Sequence, residues 1–446
     1  MNVPYANQSI AILGAGESGE AAALLLKEEG AMITILDTAE ENKLRKKIDA
    51  MGTQGIRLIA GLAAEHESLQ GRFDACVLSP GIDPAVPLVQ NFIRRRIAMI
   101  GELELAYEMC RCPIVGITGT NGKTTTTQLV EKMLNACGVK TMAAGNIGPA
   151  FSARVRQSAE LDLMTLEVSS FQLETIERFR AQIAVWLGFA ADHLDRYHSM
   201  EEYYAAKIRI FENQTEADWA IVNFRDKLPP LKARRITFSA YAPGADFDLR
   251  AGVIYFRGDR VLALAETKLR GVHNAENLMA ALGVGFVRGL SFSEMAAPLR
   301  EYTPLPHRCE FVRTLDGVDW VNDSKGTNPD SVEKALHGET RPVVLIAGGK
   351  DKGYEYDALT EIVAQKCRAV VVIGEMADRI EALWKDRARV VNTAWSLEKA
   401  VQIAREIAQP GDTVLLSPGT SSFDMFKNYA DRGNQFRALV QAMKAQ

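Results

Sequence analysis

The sequence predicts an α/β fold in three domains with mostly parallel sheets. Three observations lead there. At 446 residues the chain exceeds one usual domain, with ample length for several cores. An apolar run, a glycine-rich turn and an amphipathic helix follow one another near residue 10 and again near residue 115. In the last third, apolar runs again alternate with helical patterns, and such continuous apolar strands belong to a parallel sheet covered on both faces.

The first domain is placed at 1–101 and read as Rossmann-like. Ser9-Ile10-Ala11-Ile12-Leu13 is its opening strand, Gly14-Ala15-Gly16-Glu17-Ser18-Gly19 its turn, and Met32-Ile33-Thr34-Ile35-Leu36 a second strand ending at Asp37. This βαβ unit carries the G-x-G-x-x-G fingerprint and the strand-end carboxylate of dinucleotide-binding folds. Alone it suggests an NAD-dependent oxidoreductase. The physical content is broader, because a glycine turn at a helix N-terminus accepts any pyrophosphate and the carboxylate any ribose hydroxyl, so UDP-linked ligands fit as well as NAD. Ala75-Cys76-Val77-Leu78 runs into Ser79-Pro80-Gly81 at the same sheet edge.

The central domain is placed at 102–303 and read as a P-loop ATPase-type unit. Its key stretch is GITGTNGKTTT, Gly116 to Thr126, between the strand-like Pro113-Ile114-Val115 and a helix with Leu129, Val130, Met133 and Leu134 on one face. Glycines let backbone N–H groups turn onto phosphate oxygens, Lys123 reaches the outer phosphates, and the Thr124 hydroxyl can ligate Mg²⁺. The spacing departs from the usual four residues before Gly-Lys: five separate Gly116 from Gly122, and two separate Gly119 from it. Downstream, Leu161 to Leu166 reads as a strand ending at Glu167, where a second Mg²⁺ ligand is wanted. Ala184 to Leu187 leads to Asp192-His193-Leu194-Asp195, whose histidine can ligate metal or cap a helix. The helical stretch 201–211 places Tyr204, Ile208 and Phe211 on one face with Lys207 at its edge, and pattern gives that lysine no role. Residues 215–270 alternate short strands and turns, and Asn274 is the expected N-cap of the following helix.

The third domain, 304–446, is read as Rossmann-like, with strands at Pro342 to Ala347, Ala369 to Ile373 and Thr413 to Leu416. Polar clusters stand at Pro306-His307-Arg308, at Asn322 to Pro329 and at Gly348 to Gly353. Lys325, Lys350 and Lys352 within them can bind a carboxylate or neutralise a γ-phosphate.

Composition excludes several classes. A net charge of -4 lacks the basic excess of nucleic-acid binding, so phosphate recognition has to be local. No apolar run approaches the roughly 18 residues of a membrane helix, and the start MNVPYANQSI lacks a basic, then apolar leader, so a cytoplasmic protein is expected. Six scattered cysteines make reduced thiols the default, and Cys110 and Cys112 do not supply a four-ligand zinc site.

Taken together, GTNGKT, LEVSSFQLE, DHLDRY, YYAAKIRIFEN, HN, PHR, NDSKGTN and SPGTSSFDMFKNYADRGNQF resemble, in order and over nearly the whole chain, the Mur ligases of peptidoglycan synthesis. The short GTNGKT loop is that family's own form. The closing block and LEVSSFQLE are most similar to the branch that joins D-glutamate to UDP-N-acetylmuramoyl-L-alanine. The resemblance implies an ATP-dependent ligase whose three domains hold respectively the UDP end of one substrate, ATP with Mg²⁺ at two sites, and the amino acid. It implies ATP contacts from Gly119, Thr120, Asn121, Gly122, Lys123, Thr124, Thr125, Asn277, Arg308, Asp323 and Lys325. Metal ligation falls to Thr124, Glu167, His193 and Lys207, the last as a carbamate formed with CO₂, and Lys123, Glu167, His193 and Lys207 are the implied catalytic set. Gly16, Ser18, Asp37, Thr38 and Gly81 would meet the uridine and its phosphates, with Asn146, Ser169 and Gln172 at the muramoyl portion. Thr327, Lys352, Ser422 and Tyr429 would address D-glutamate. A monomer acting on small molecules, without nucleic acid or membrane insertion, is expected. The chain departs from the family before His193, where Gly188-Phe189-Ala190-Ala191 replace a common asparagine and threonine or serine.

Overall fold

The computed structural model describes residues 5–192, 196–269, 271–392 and 395–445. They form three sheets, one after another along the chain. The first comprises β1 (Ser9–Leu13), β2 (Met32–Asp37), β3 (Arg57–Ala60), β4 (Ala75–Leu78) and β5 (Ala98–Gly101) in the order β3-β2-β1-β4-β5. All its pairings are parallel. The order reverses between β1 and β4, which opens a crevice at their carboxyl ends. The glycine turn lies there, and its tightness is steric: a Cβ on Gly19 would sit 2.0 Å from the Gly14 carbonyl oxygen, while Gly14 itself holds φ +100°.

The second sheet contains β6 (Ile114–Thr118), β7 (Thr141–Gly145), β8 (Leu163–Glu167), β9 (Ile183–Trp186), β10 (Trp219–Asn223), β11 (Arg234–Ser239), β12 (Phe247–Arg250), β13 (Val253–Phe256) and β14 (Asp259–Ala263). Its order is β14-β13-β12-β11-β10-β9-β6-β8-β7, parallel from β7 to β12 and antiparallel for the last two pairings. The strand β6 extends through Thr118, so Gly116 belongs to the sheet and the phosphate loop begins at Gly119. Gly116 is needed for packing, since a Cβ there would lie 2.9 Å from that of Ala181.

The third sheet comprises β15 (Glu310–Leu315), β16 (Val318–Asn322), β17 (Val343–Gly348), β18 (Cys367–Ile373), β19 (Arg389–Asn392) and β20 (Thr413–Leu416), in the order β15-β16-β20-β17-β18-β19. It opens with an antiparallel hairpin, β15 with β16, that the apolar-run reading passes over because β15 is largely solvated. The remaining pairings are parallel, with the central strands β17 and β20 fully buried.

Two buried carboxylates join the first two sheets. The linker helix Glu102–Met109 follows β5 directly, and Glu102 accepts from the Ser152 N–H at 2.7 Å and its hydroxyl at 2.6 Å. Glu104 accepts three backbone N–H groups, from Glu177 (2.9 Å), Arg178 (2.8 Å) and Phe179 (2.9 Å). Such bonds offset the cost of burying a polar carboxyl group. The Cys110 thiol, at the end of this helix, donates to the Cys112 carbonyl, and both residues are half-buried against the core. No helix among the described residues is long and apolar enough to cross a membrane.

Candidate active site

The carboxyl ends of the second and third sheets face a common cavity of about 260 Å³. Within the second sheet β6 lies between β8 and β9, so the loop after β6 has the ends of both neighbours beside it. Gly122, with φ +84°, precedes the helix Lys123–Ala136, and its missing Cβ leaves room for the Asn277 Oδ1, 2.4 Å from where one would lie. Asn277 also accepts from the Thr126 hydroxyl at 3.2 Å and donates to the Asn274 Oδ1 at 2.9 Å, so it buttresses the loop as well as lining the cavity. The helix that carries both asparagines starts after Gly271, which puts Asn274 in its first turn and not at the expected N-cap. A positive φ of +84° at the cap favours glycine there.

Lys123 folds back over the loop, donating to the Gly119 carbonyl at 2.9 Å and the Thr120 carbonyl at 2.8 Å. Burial lowers its pKa, partly countered by the nearby carboxylates of Glu167 and Asp192. Lys207 donates to the same Gly119 carbonyl at 2.9 Å. It is 1 % exposed, and burial, with Lys123 adding a like charge, pushes its pKa well below the ordinary lysine value. The helical face expected from the sequence packs as read, with Phe211 buried and Tyr204 and Ile208 against the same core, but a second, more deeply buried stripe beside it takes Lys207. Tyr203, Ala206 and Lys207 point inward on the helix Met200–Ile208, while Tyr204 and Ile208 are only partly buried. The Tyr203 ring packs at a tilt against Phe189 and Tyr197, and the lysine one turn on follows it inward.

Glu167 ends β8 and is 2 % exposed. Asn146 donates to its Oε1 at 2.7 Å, whereas Oε2 is buried without a hydrogen-bond partner. An orphaned carboxylate oxygen beside a phosphate loop is the donor a hard cation takes, so the residues fit Mg²⁺. Among the described residues, no three histidine, cysteine or acidic side chains form a metal cluster. His193, the remaining expected ligand, lies outside the described residues.

The third sheet supplies the opposite wall. Since β20 lies between β16 and β17, the loops 322–328, 417–422 and 348–353 meet at one edge. Thr120, Asn121, Gly122, Lys123, Thr124 and Thr125 line the cavity with Asn146, Glu167, Asn277, Arg308, Asp323, Lys325 and Thr327. Burial raises the Asp323 pKa to about 6, while the Ser417 hydroxyl (2.8 Å) and the Cys309 N–H (3.1 Å) hold its oxygens. Burial and the Arg308 charge lower Lys325 to about 8, and its ammonium lies 3.9 Å from the centre of the Tyr429 ring. Lys352 donates to the Tyr354 hydroxyl at 3.4 Å, and Ser422 is buried.

Other expected residues lie elsewhere. Gly16, Ser18, Asp37, Thr38 and Gly81 cluster at the crevice of the first sheet, and Asp37 accepts from the N–H groups of Ala15 (2.7 Å) and Ala39 (2.8 Å). Ser169 and Gln172 bond each other in a capping box on the short helix Ser170–Leu173.

The cavity also has residues to which the sequence assigns no role of their own. Asp192, His273, Ser331 and Lys334 line it. Asn121 donates to Asp330, and its Oδ1 accepts from the Ser331 hydroxyl at 3.0 Å. The segment before His193 is held without a polar side chain of its own. Gly188 holds φ +129°, a conformation side chains rarely adopt. The Thr120 hydroxyl takes over the loop, donating to the Ala190 carbonyl (3.1 Å) and accepting its N–H (3.0 Å).

Family models match the chain as "Mur ligase MurD-like, N-terminal domain" over 8–101, "Mur ligase middle domain" over 117–285 and "Mur ligase, glutamate ligase domain" over 307–419. The UDP-N-acetylmuramoylalanine--D-glutamate ligase of Geotalea uraniireducens is 40% identical, the alignment covering 98% of each chain. The chain belongs to the Mur ligase family. The ligase of the same name from Alkaliphilus metalliredigens is 37% identical over 98% of this chain and 99% of its own. Among solved Mur ligases, Thermotoga maritima MurC aligns with a TM-score of 0.62 at 16% identity, covering 98% of this chain and 100% of its own. Thermotoga maritima MurF in complex with ADP aligns at 0.59 and 16% identity, covering 99% of this chain and 97% of its own. These two share the fold.

Proposed function

We propose that the chain is an ATP-dependent ligase that joins D-glutamate to UDP-N-acetylmuramoyl-L-alanine, giving ADP and phosphate. The observation that carries the reading is the arrangement of Lys123, Glu167 and Lys207 around one phosphate loop, opposite Lys325 and Thr327 from another sheet. The full-length likeness to relatives bearing that activity in their names supports the choice of substrates.

In this reading residues 1–101 hold the UDP portion, 102–303 the ATP, and 304–446 the amino acid. The protein is cytoplasmic and monomeric. A carboxylate is a poor acyl donor, so one oxygen of the substrate carboxylate first attacks the γ-phosphorus and ADP leaves. The amine of D-glutamate attacks the carbonyl carbon of the resulting acyl phosphate. The tetrahedral intermediate collapses with loss of phosphate and leaves the amide. Lys123 and Lys325 stabilise charge on the transferred phosphoryl group, and Thr327, Lys352, Ser422 and Tyr429 orient the amino acid. Mg²⁺, held by Thr124, Glu167, His193 and a modified Lys207, would supply charge neutralisation at the phosphate oxygens. Burial and the like charge of Lys123 shift Lys207 toward the neutral amine, the form that adds to the carbon of CO₂ with loss of a proton.

The deciding experiment is phosphate release from ATP with UDP-N-acetylmuramoyl-L-alanine against a panel of amino acids. Release that requires both that substrate and D-glutamate is expected. Equal turnover without either, or preference for another amino acid, overturns the assignment.

A further inference from the structure

The segment Gly188-Phe189-Ala190-Ala191 has no polar side chain with which to fix the residue that follows it, Asp192. The Thr120 bonds to Ala190 fix its middle. Its end is held from across the cleft. The Tyr354 hydroxyl donates to the Asp192 Oδ1 at 2.7 Å, and the Asn328 amide donates to Oδ2 at 3.0 Å. Tyr354 is 3 % exposed and its ring is part of the core under the third sheet, so the hydroxyl is presented from a rigid base. On its other side the hydroxyl accepts from Lys352. Asp192 in turn lines the cavity, and its negative charge acts on Lys123, Lys207 and Lys325.

We propose that Tyr354 is a positioning residue that couples the amino-acid end of the cleft to the phosphate end, through the chain of hydrogen bonds from Lys352 to Tyr354 to Asp192. An anion seated on Lys352 competes for the bond that Lys352 makes to the hydroxyl, and the hydroxyl's own bond to Asp192 strengthens or weakens with it. Amino-acid occupancy is thereby registered beside Lys123 and Lys207 before chemistry. The inference rests on the assignment of Lys352 to D-glutamate.

Tyr354→Phe keeps the buried ring and removes only the hydroxyl. A hydrogen bond to a charged group is worth roughly 1.5 to 3 kcal/mol, so kcat/KM for D-glutamate should fall about tenfold or more. The KM values for ATP and for the UDP substrate should stay within about twofold, and the circular dichroism spectrum should be unchanged. Asp192→Ala removes the acceptor and lowers activity by itself, and adding Tyr354→Phe to it should cost far less than in the wild type, as residues acting through one bond are non-additive. Wild-type D-glutamate kinetics in Tyr354→Phe, or additive losses in the double variant, overturn the proposal. If the wild-type enzyme uses a different amino acid, the functional assignment fails separately, and the same selective change is then sought with the amino acid that it accepts.

Discussion

Lys123 and Lys207 share one acceptor, the Gly119 carbonyl, yet the sequence exposes them very differently. Lys123 is legible from its place after Gly122 at the head of a helix. Lys207 is legible only through resemblance, because its burial depends on how tyrosines pack several residues away. Asp192 stands in a recognisable motif, but its role is hidden: its partners Asn328 and Tyr354 are 136 and 162 residues distant. Lys123→Ala should abolish ligation almost completely, measured as amide product formed. Lys207→Ala should lose activity that added short-chain carboxylates partly restore, and an unimpaired variant would remove the carbamate from the reading. Lys325 gives a pH signature. Its pKa of about 8 means that the ammonium form is lost as pH rises through that value. If the ammonium pairs with ATP phosphate, KM for ATP should rise up to about tenfold per pH unit above pH 8, and Lys325→Arg should flatten the rise.

At the level of elements, glycine turns after β1 and β6 and the carboxylate at the end of β8 are readable because local sterics and strand periodicity dictate them. What local patterns miss is phase and extent. The strand β6 runs two residues beyond Gly116, Asn274 sits inside its helix, and the solvated strand β15 hides the opening hairpin of the third sheet. The steric demand at Gly19 makes a sharp prediction. Gly19→Ala would force a methyl onto the Gly14 carbonyl, and overpacking of this kind costs about 1 to 3 kcal/mol. Urea unfolding should show that loss. Calorimetric titration should show weakened binding of the UDP substrate, with ATP binding spared.

On the scale of the molecule, the cavity exists because two sheets direct their carboxyl edges at each other, and no sequence window contains that fact. The bonds that maintain it join residues about 200 positions apart, as between Asn121 and Asn328, separated by 207. Asp330→Ala removes an acceptor of Asn121, and small-angle scattering of the ligand-free enzyme should then report a larger radius of gyration. The two junctions between sheets differ in kind. Glu102 and Glu104 anchor the linker helix through five hydrogen bonds into the second sheet's surroundings, all to buried carboxylates. The passage into the third sheet runs through Pro304 and Pro306 and is secured by polar contacts at the cavity. Heating should therefore melt the first two sheets in one cooperative transition while the third loosens independently, a pattern that hydrogen exchange can resolve segment by segment. Glu104→Gln, which keeps the shape but weakens the acceptor, should split that shared transition into two.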